Sequence, residues 1–394
     1  MTNKIIIWGV DDFNTLGLLR EYGESQMDIF FLIKGKAAYA CKSKYCSHFH
    51  LTKSNDEGLN YLLGNFTQEK NKPIILTSGD GIEVFIDQHK IELEKYFIIP
   101  GTSKQGLQEK YTDKNAMTQL AEEIGILCPK SRYCRWDSNV NDCTYPCLIK
   151  PAHQKPGHYN EFKFKICNTK AELKRVLKMV RHDSEFILQD YIPKEKDLLV
   201  YGSRMWDGKT KLAGAMIRER WADRGSSSHG LITKNIPTCI DVVKISDFLD
   251  RIDYHGVFSF EYGMVGDKAY FFEVNLRNDG TSHYFYQSAA NIPLAYAYSC
   301  VGEDYTQVNT EVIEDRWFID EVFDFENVIK GIISKKQWKA DMKQATVFKY
   351  YDKNDVEPWR YVMSSRWIQT AQDIILKRFR LYIIYILDKL GLRK

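Results

Sequence analysis

The chain has 394 residues, of which 44% are hydrophobic and 27% charged, a composition that excludes a disordered chain and a length that fits two or three domains. With 55 basic and 52 acidic residues the net charge is +3, too balanced for a protein that coats nucleic acid, so no nucleic-acid partner is expected. The opening MTNKIIIWGVDD is too short an apolar run for a signal peptide, no stretch reaches a membrane span, and nine scattered cysteines fit reduced thiols, so a cytoplasmic protein is expected.

Ile5 to Gly9 reads as a strand closed by a glycine turn, followed by a helix from Thr15 to Tyr22 and a second strand from Asp28 to Ile33. Ile74 to Thr77 is a further apolar run that ends in Ser-Gly-Asp-Gly. Apolar runs alternating with helical patterns predict a parallel α/β first domain over 1–105, with Gly9 and Asp11 where such folds bind ligands. Thr112 or Asp113 caps a helix running from Asn115 to Ile124, closed by Gly125. Cys147 to Pro151 and Phe162 to Cys167 read as strands, Lys170 to Arg181 as a helix, and Phe186 to Ile192 as a strand stopped by Pro193.

The middle changes character. Leu198 to Met205 with Lys211 to Arg220, and Val257 to Tyr262 with Ala269 to Asn275, read as antiparallel hairpins turning at Asp207-Gly208 and Gly266-Asp267. Trp317 to Gln344 looks helical and Ala345 to Tyr351 looks like a strand. The fold class expected is therefore α/β plus α+β. The divisions are 1–105, 106–200, 201–305 and a C-terminal extension over 306–394.

The second hairpin carries the sharpest chemistry. Glu261 and Glu273 face each other across it, because adjacent strands lie about 4.8 Å apart. Glu273 and Asn275 are two apart and share a face, and Arg277 follows on the same side if the strand continues. Two carboxylates and an amide oxygen suit Mg²⁺. The polar outer face of an antiparallel sheet gives the same pattern. Lys150 sits at a strand end fixed by Pro151, within reach of a phosphate or simply solvated. Lys114 opens a helix, where a cation opposes the helix dipole unless an anion partners it. Gln189, with Tyr191, Ile192 and Asp197, reads as a hinge for a flat heterocycle and its ribose.

The ordered set Asp113-Lys114, Leu148-Ile149-Lys150-Pro151, Gln189 to Pro193, Glu261 and Phe272 to Arg277 resembles the ATP-grasp superfamily over roughly residues 1 to 300, nearest its carboxylate–amine ligase-like branch. The resemblance implies a Rossmann-like pre-ATP-grasp domain, then a small lid and a larger catalytic part that clasp ATP. It implies Lys114 and Lys150 as phosphate-contacting lysines. Gln189, Tyr191 and Ile192 become the adenine hinge and Asp197 the ribose acid. Glu261, Glu273 and Asn275 become ligands of Mg²⁺ or Mn²⁺, and Arg277 steadies the acyl phosphate. Arg218, Arg220, Ser228 and His229 lie in the stretch that borders the acceptor pocket in that branch; a solvated charged strand is the alternative there. His283 either faces the same pocket or is structural. Leu276 replaces the usual proline, Lys194 replaces the usual glycine after Pro193, and the lid stretch 152–160 has one glycine, so Lys155, Lys163 or Lys165 serves the lid instead.

The implied activity is ATP-dependent joining of a carboxylate substrate to an amine substrate. The alternative is a regulatory or scaffold protein that grips ATP without turnover. Cys41, Cys46, His48 and His50 match no common zinc spacing. The tail from Arg366 to Lys394 carries seven basic and two acidic residues around an apolar run at 381–387. It docks on its own body or a twin subunit, giving a homodimer, or it lies on an anionic membrane surface. In the latter case a lipid-linked envelope precursor becomes the acceptor.

Overall fold

The computed structural model describes residues 1–152, 164–180, 182, 184–222 and 226–365. Lys155, Lys163, Arg224 and the basic tail lie outside the described residues.

The first sheet is parallel, ordered Phe49–Thr52, Ile29–Lys34, Ile5–Gly9, Ile74–Thr77. Ile5–Gly9 is buried along its whole length, as a parallel strand covered on both faces must be. The chain leaves this strand toward Ile29–Lys34 on one side and later toward Ile74–Thr77 on the other. The carboxyl ends of those two outgoing strands therefore flank a topological switch point. Gly9 is required there: an added Cβ would lie 2.2 Å from Ser78 Oγ and 2.6 Å from Thr15 Cγ2.

A four-stranded antiparallel sheet follows, ordered Ser131–Arg135, Glu185–Asp190, Cys147–Pro151, Lys165–Cys167. It is packed by the helix Lys170–Leu177 through Leu173. Lys165 is described as the first residue of its strand.

The largest sheet runs in the order Lys268–Asn275, Tyr254–Val265, Lys196–Arg204, Thr210–Trp221, Ser227–Thr233, Arg316–Ile319, Val347–Phe348, with Gly101–Thr102 paired to Tyr254–Val265 off that path. Both predicted hairpins are present, and both extend beyond the sequence limits. One core joins Leu199, Tyr201 and Met216 of this sheet to Ile5, Leu18 and Phe285. Another packs the helices Lys114–Ile124 and Val242–Arg251 against Val200, Phe258 and Phe260.

The C-terminal extension departs from its sequence reading. Trp317 begins no helix: Arg316–Ile319 is a strand, and only Glu326–Ile329 and Lys335–Gln344 are helical. Phe318 and Ile319 are fully buried and pair with Val347 and Phe348, so tertiary burial overrides the local periodicity. The strand expected over Ala345 to Tyr351 is reduced to Val347–Phe348, because Lys349, Tyr350 and Tyr351 give their N–H groups to the Glu321 carboxylate instead.

Candidate active site

Glu261 and Glu273 are register partners across the hairpin, and Ser259 opposes Asn275. Strand alternation puts all four on one face. Each carboxylate already faces a cation. Arg218 holds Glu261 through two contacts of 3.0 Å, and Lys114 Nζ lies 2.6 Å from Glu273 Oε2. Asn275 donates to Ser259 Oγ at 3.1 Å and Glu261 Oε1 at 3.4 Å. Arg277 lies beyond the strand end, donates to Asn275 Oδ1 at 3.4 Å and to the Asn278 carbonyl at 3.1 Å, and pairs with Asp80.

Lys114 is held by local sequence. Asp113 caps the helix Lys114–Ile124, accepting from the N–H groups of Asn115 and Ala116, and Gly125 closes it in the left-handed region. Thr112 instead ends the preceding helix Leu107–Thr112. The cation at the first helical position thus has the anion that its placement demands, Glu273.

Electrostatics tie Lys150 to the same point. Burial, with Lys114 adding repulsion and Glu273 opposing, pushes the Lys150 ammonium down to about 8. Burial works against ionised Glu273, yet Lys114, Lys150 and Arg218 outweigh it and hold its carboxyl below the usual range.

The hinge residues lie apart from this cluster. Gln189 sits between Ser131 and Leu148 in the small antiparallel sheet and donates to Ser131 Oγ at 2.9 Å. Tyr191 N–H bonds the Pro146 carbonyl, and the Ile192 carbonyl accepts from Lys194 N–H. Asp197 is buried, pairs with Lys194 and stands in register with Arg218.

Arg220, Ser228 and His229 are not brought to the cluster. Arg220 binds Asp324 at 2.9 Å and Asp341 at 2.8 Å, and Ser228 Oγ donates to Asp324 at 2.6 Å. His229 stacks on Trp317, and burial with nearby Arg220 keeps its imidazole neutral. The cause is a bulge: the register shifts between Arg218 and Arg220, so alternation does not carry Arg220 to the Arg218 side. His283 is structural, buried beside Arg20, whose Nη1 lies 3.3 Å from Nε2. Asp11 is structural as well, accepting from the N–H groups of Ala38, Ala40 and Cys41. Among the described residues no three His, Cys, Asp or Glu side chains gather as a metal cluster, and His50 stacks on Tyr61.

A cleft of about 380 Å³ opens over the carboxylates. Glu261, Glu273, Asn275, Arg218 and Arg277 line one part of it; Asp12, Phe13, Asn14, Ser78, Thr281 and Lys349 line another. Sequence reasoning missed this second group. The only signal was the apolar run ending in Ser78, which marks a strand's carboxyl end. Gly280 packs under the Phe13 ring, where an added Cβ would lie 1.7 Å from the ring. Gly280→Ala is expected to cost about 1–3 kcal/mol, read from the denaturation midpoint, by displacing that wall.

The parallel sheet, the small antiparallel sheet and the large sheet carrying paired carboxylates together form the ATP-grasp fold. In sequence the chain is similar to a D-aspartate ligase of Enterococcus faecium, 26% identical over 260 residues and covering 58% of each chain. The match therefore spans less than two-thirds of that relative's length. In structure it is similar to N5-carboxyaminoimidazole synthetase of Staphylococcus aureus complexed with ADP, with a TM-score of 0.63, 13% identity and coverage of 84% of this chain and 86% of that one. It is also similar to an L-amino acid ligase of Bacillus licheniformis, with a TM-score of 0.62, 10% identity and coverage of 80% and 79%. At these identities the structural likeness is one of fold. No family model matches the chain.

Proposed function

We propose that this chain is an ATP-dependent carboxylate–amine ligase that works through an acyl phosphate. The observation that carries the reading is the convergence of Glu261, Glu273 and Asn275 on one face, with Lys114 at 2.6 Å and Lys150 electrostatically coupled to them. We further propose the division 1–105, 106–200, 201–305 and 306–394.

Two carboxylates and an amide oxygen are the donor set that Mg²⁺ or Mn²⁺ takes, and the cations now facing them show that negative charge at this point demands a partner. Glu261, Glu273 and Asn275 would hold the metal, which when bound neutralises phosphate charge. In the reaction a carboxylate oxygen attacks the γ-phosphorus and the bond to ADP breaks. The amine nitrogen then attacks the acyl carbon, phosphate leaves with its oxygen, and the nitrogen loses a proton. Lys114 and Lys150 orient the transferring phosphoryl group by charge, the main demand of that step. Arg277 steadies the acyl phosphate. Gln189, Tyr191 and Ile192 receive the adenine and Asp197 the ribose; Arg218 meets the acid substrate once it leaves Glu261.

The Lys150 ammonium gives a pH test. Its charged form binds phosphate, and it is lost as pH rises through about 8. Affinity for an ATP analogue is expected to fall by up to about tenfold per pH unit above that point, with proton uptake on binding. Titration calorimetry at pH 7 and pH 9 checks both. The activity is tested by ADP release with acid and amine pairs. D-aspartate is the first acid to try, given the similar ligase, and a cell-envelope or polysaccharide precursor is the amine class we propose. Release that needs both partners supports the ligase. Binding of ATP with no release under any pair supports a regulatory ATP-binding protein instead.

A further inference from the structure

The second part of the cleft has a built cationic wall. Lys349 lines it although its side chain is only 4% exposed. Its ammonium lies 2.9 Å from Asp320 Oδ2, 3.2 Å from Ser226 Oγ and 4.2 Å from the centre of the Phe13 ring. An ammonium has three N–H donors, and the two oxygens take two of them. The third meets the Phe13 ring, itself a wall of the cleft. The other lining cations are directed elsewhere: Arg218 to Glu261 and Arg277 to Asp80.

The opposite wall lies at the switch point of the first sheet. Ser78 is buried, lines the cleft, and its hydroxyl has no hydrogen-bond partner. A buried hydroxyl left unpaired costs free energy that a ligand can recover. The eleven-residue helix Phe13–Gly23 begins between Ser78 and Lys349, its own first N–H groups capped by Asp12.

We propose that this end of the cleft holds the anionic group of the non-nucleotide substrate, with Lys349 as a specificity-determining residue and Ser78 as its hydrogen-bonding neighbour. The inference rests on the ligase reading above and adds where that substrate is recognised. A carboxylate and a phosphate share the chemistry that Lys349 and Ser78 would meet.

The test is calorimetric titration of the full chain, preloaded with a non-hydrolysable ATP analogue and Mg²⁺. D-aspartate and inorganic phosphate are the probes. Wild type is compared with Ser78→Ala, Lys349→Met and Lys349→Arg. One probe is expected to bind wild type, about 5–10-fold more weakly to Ser78→Ala and about 10–100-fold more weakly to Lys349→Met. Lys349→Arg is expected to recover part of the loss. The probe that responds identifies the carboxylate or the phosphate as the group bound. ATP-analogue affinity stays at the wild-type value throughout. If Lys349→Met does not fold, Ser78→Ala and Lys349→Arg decide. The proposal is overturned if neither probe binds wild type, or if the folded variants bind the probe as wild type does. Loss of analogue binding in wild type itself overturns the ligase reading and this proposal with it.

Discussion

Glu273→Gln is expected to abolish metal-dependent ATP turnover, by about a hundredfold or more, while the chain stays folded. Glu273 is half-buried, so its side chain is not needed to fill a core. Its charge is needed. It faces Lys114 at 2.6 Å, and Lys114, Lys150 and Arg218 together keep it ionised. The amide of Gln has the same shape but no charge. It would leave Lys114 without its anion and remove one carboxylate from the oxygen set that would hold Mg²⁺. Charge neutralisation of that kind supplies several kcal/mol in phosphoryl transfer. ADP release measures the loss, and circular dichroism checks the fold. Turnover at the wild-type rate would contradict the metal assignment.

Asp355→Ala is expected to destabilise the protein by about 3–5 kcal/mol, because it strands a buried guanidinium. Arg20 and Asp355 have side chains 0% and 1% exposed, and they pair at 2.9 Å between the first helix and the C-terminal extension. Arg20 also donates to the carbonyls of Tyr350 and Asp355. Asp355 also accepts from Ser43 Oγ and Lys44 N–H. Without the carboxylate these donors lose their acceptor, and the segment 349–355 that carries Lys349 loses its anchor. Chemical denaturation reads the change; a shift under about 1 kcal/mol would show that the pair is not a fastening point.

What the sequence revealed follows from which geometry is local. The Glu261, Glu273 and Asn275 face was legible because strand alternation and a two-residue turn at Gly266-Asp267 fix which side chains meet. The first strand was legible because a run of isoleucines buried on both faces has few other uses. The pairing of Lys114 with Glu273 joins residues 159 positions apart, and no spacing rule reaches that far. Arg220 was misplaced because a bulge, which hydrophobic pattern does not announce, shifts alternation after Arg218. Lys349 was invisible as a site residue, since its position depends on the Arg20–Asp355 pair and on Glu321 gathering three backbone N–H groups.

The most direct test is calorimetric titration of a non-hydrolysable ATP analogue into wild type and Lys150→Ala, each with and without Mg²⁺. Binding to wild type that strengthens with Mg²⁺, and that weakens in Lys150→Ala, is the predicted result. Absence of binding to either protein, or binding indifferent to both Mg²⁺ and Lys150, would contradict the nucleotide site and leave only the fold in common with ATP-dependent ligases.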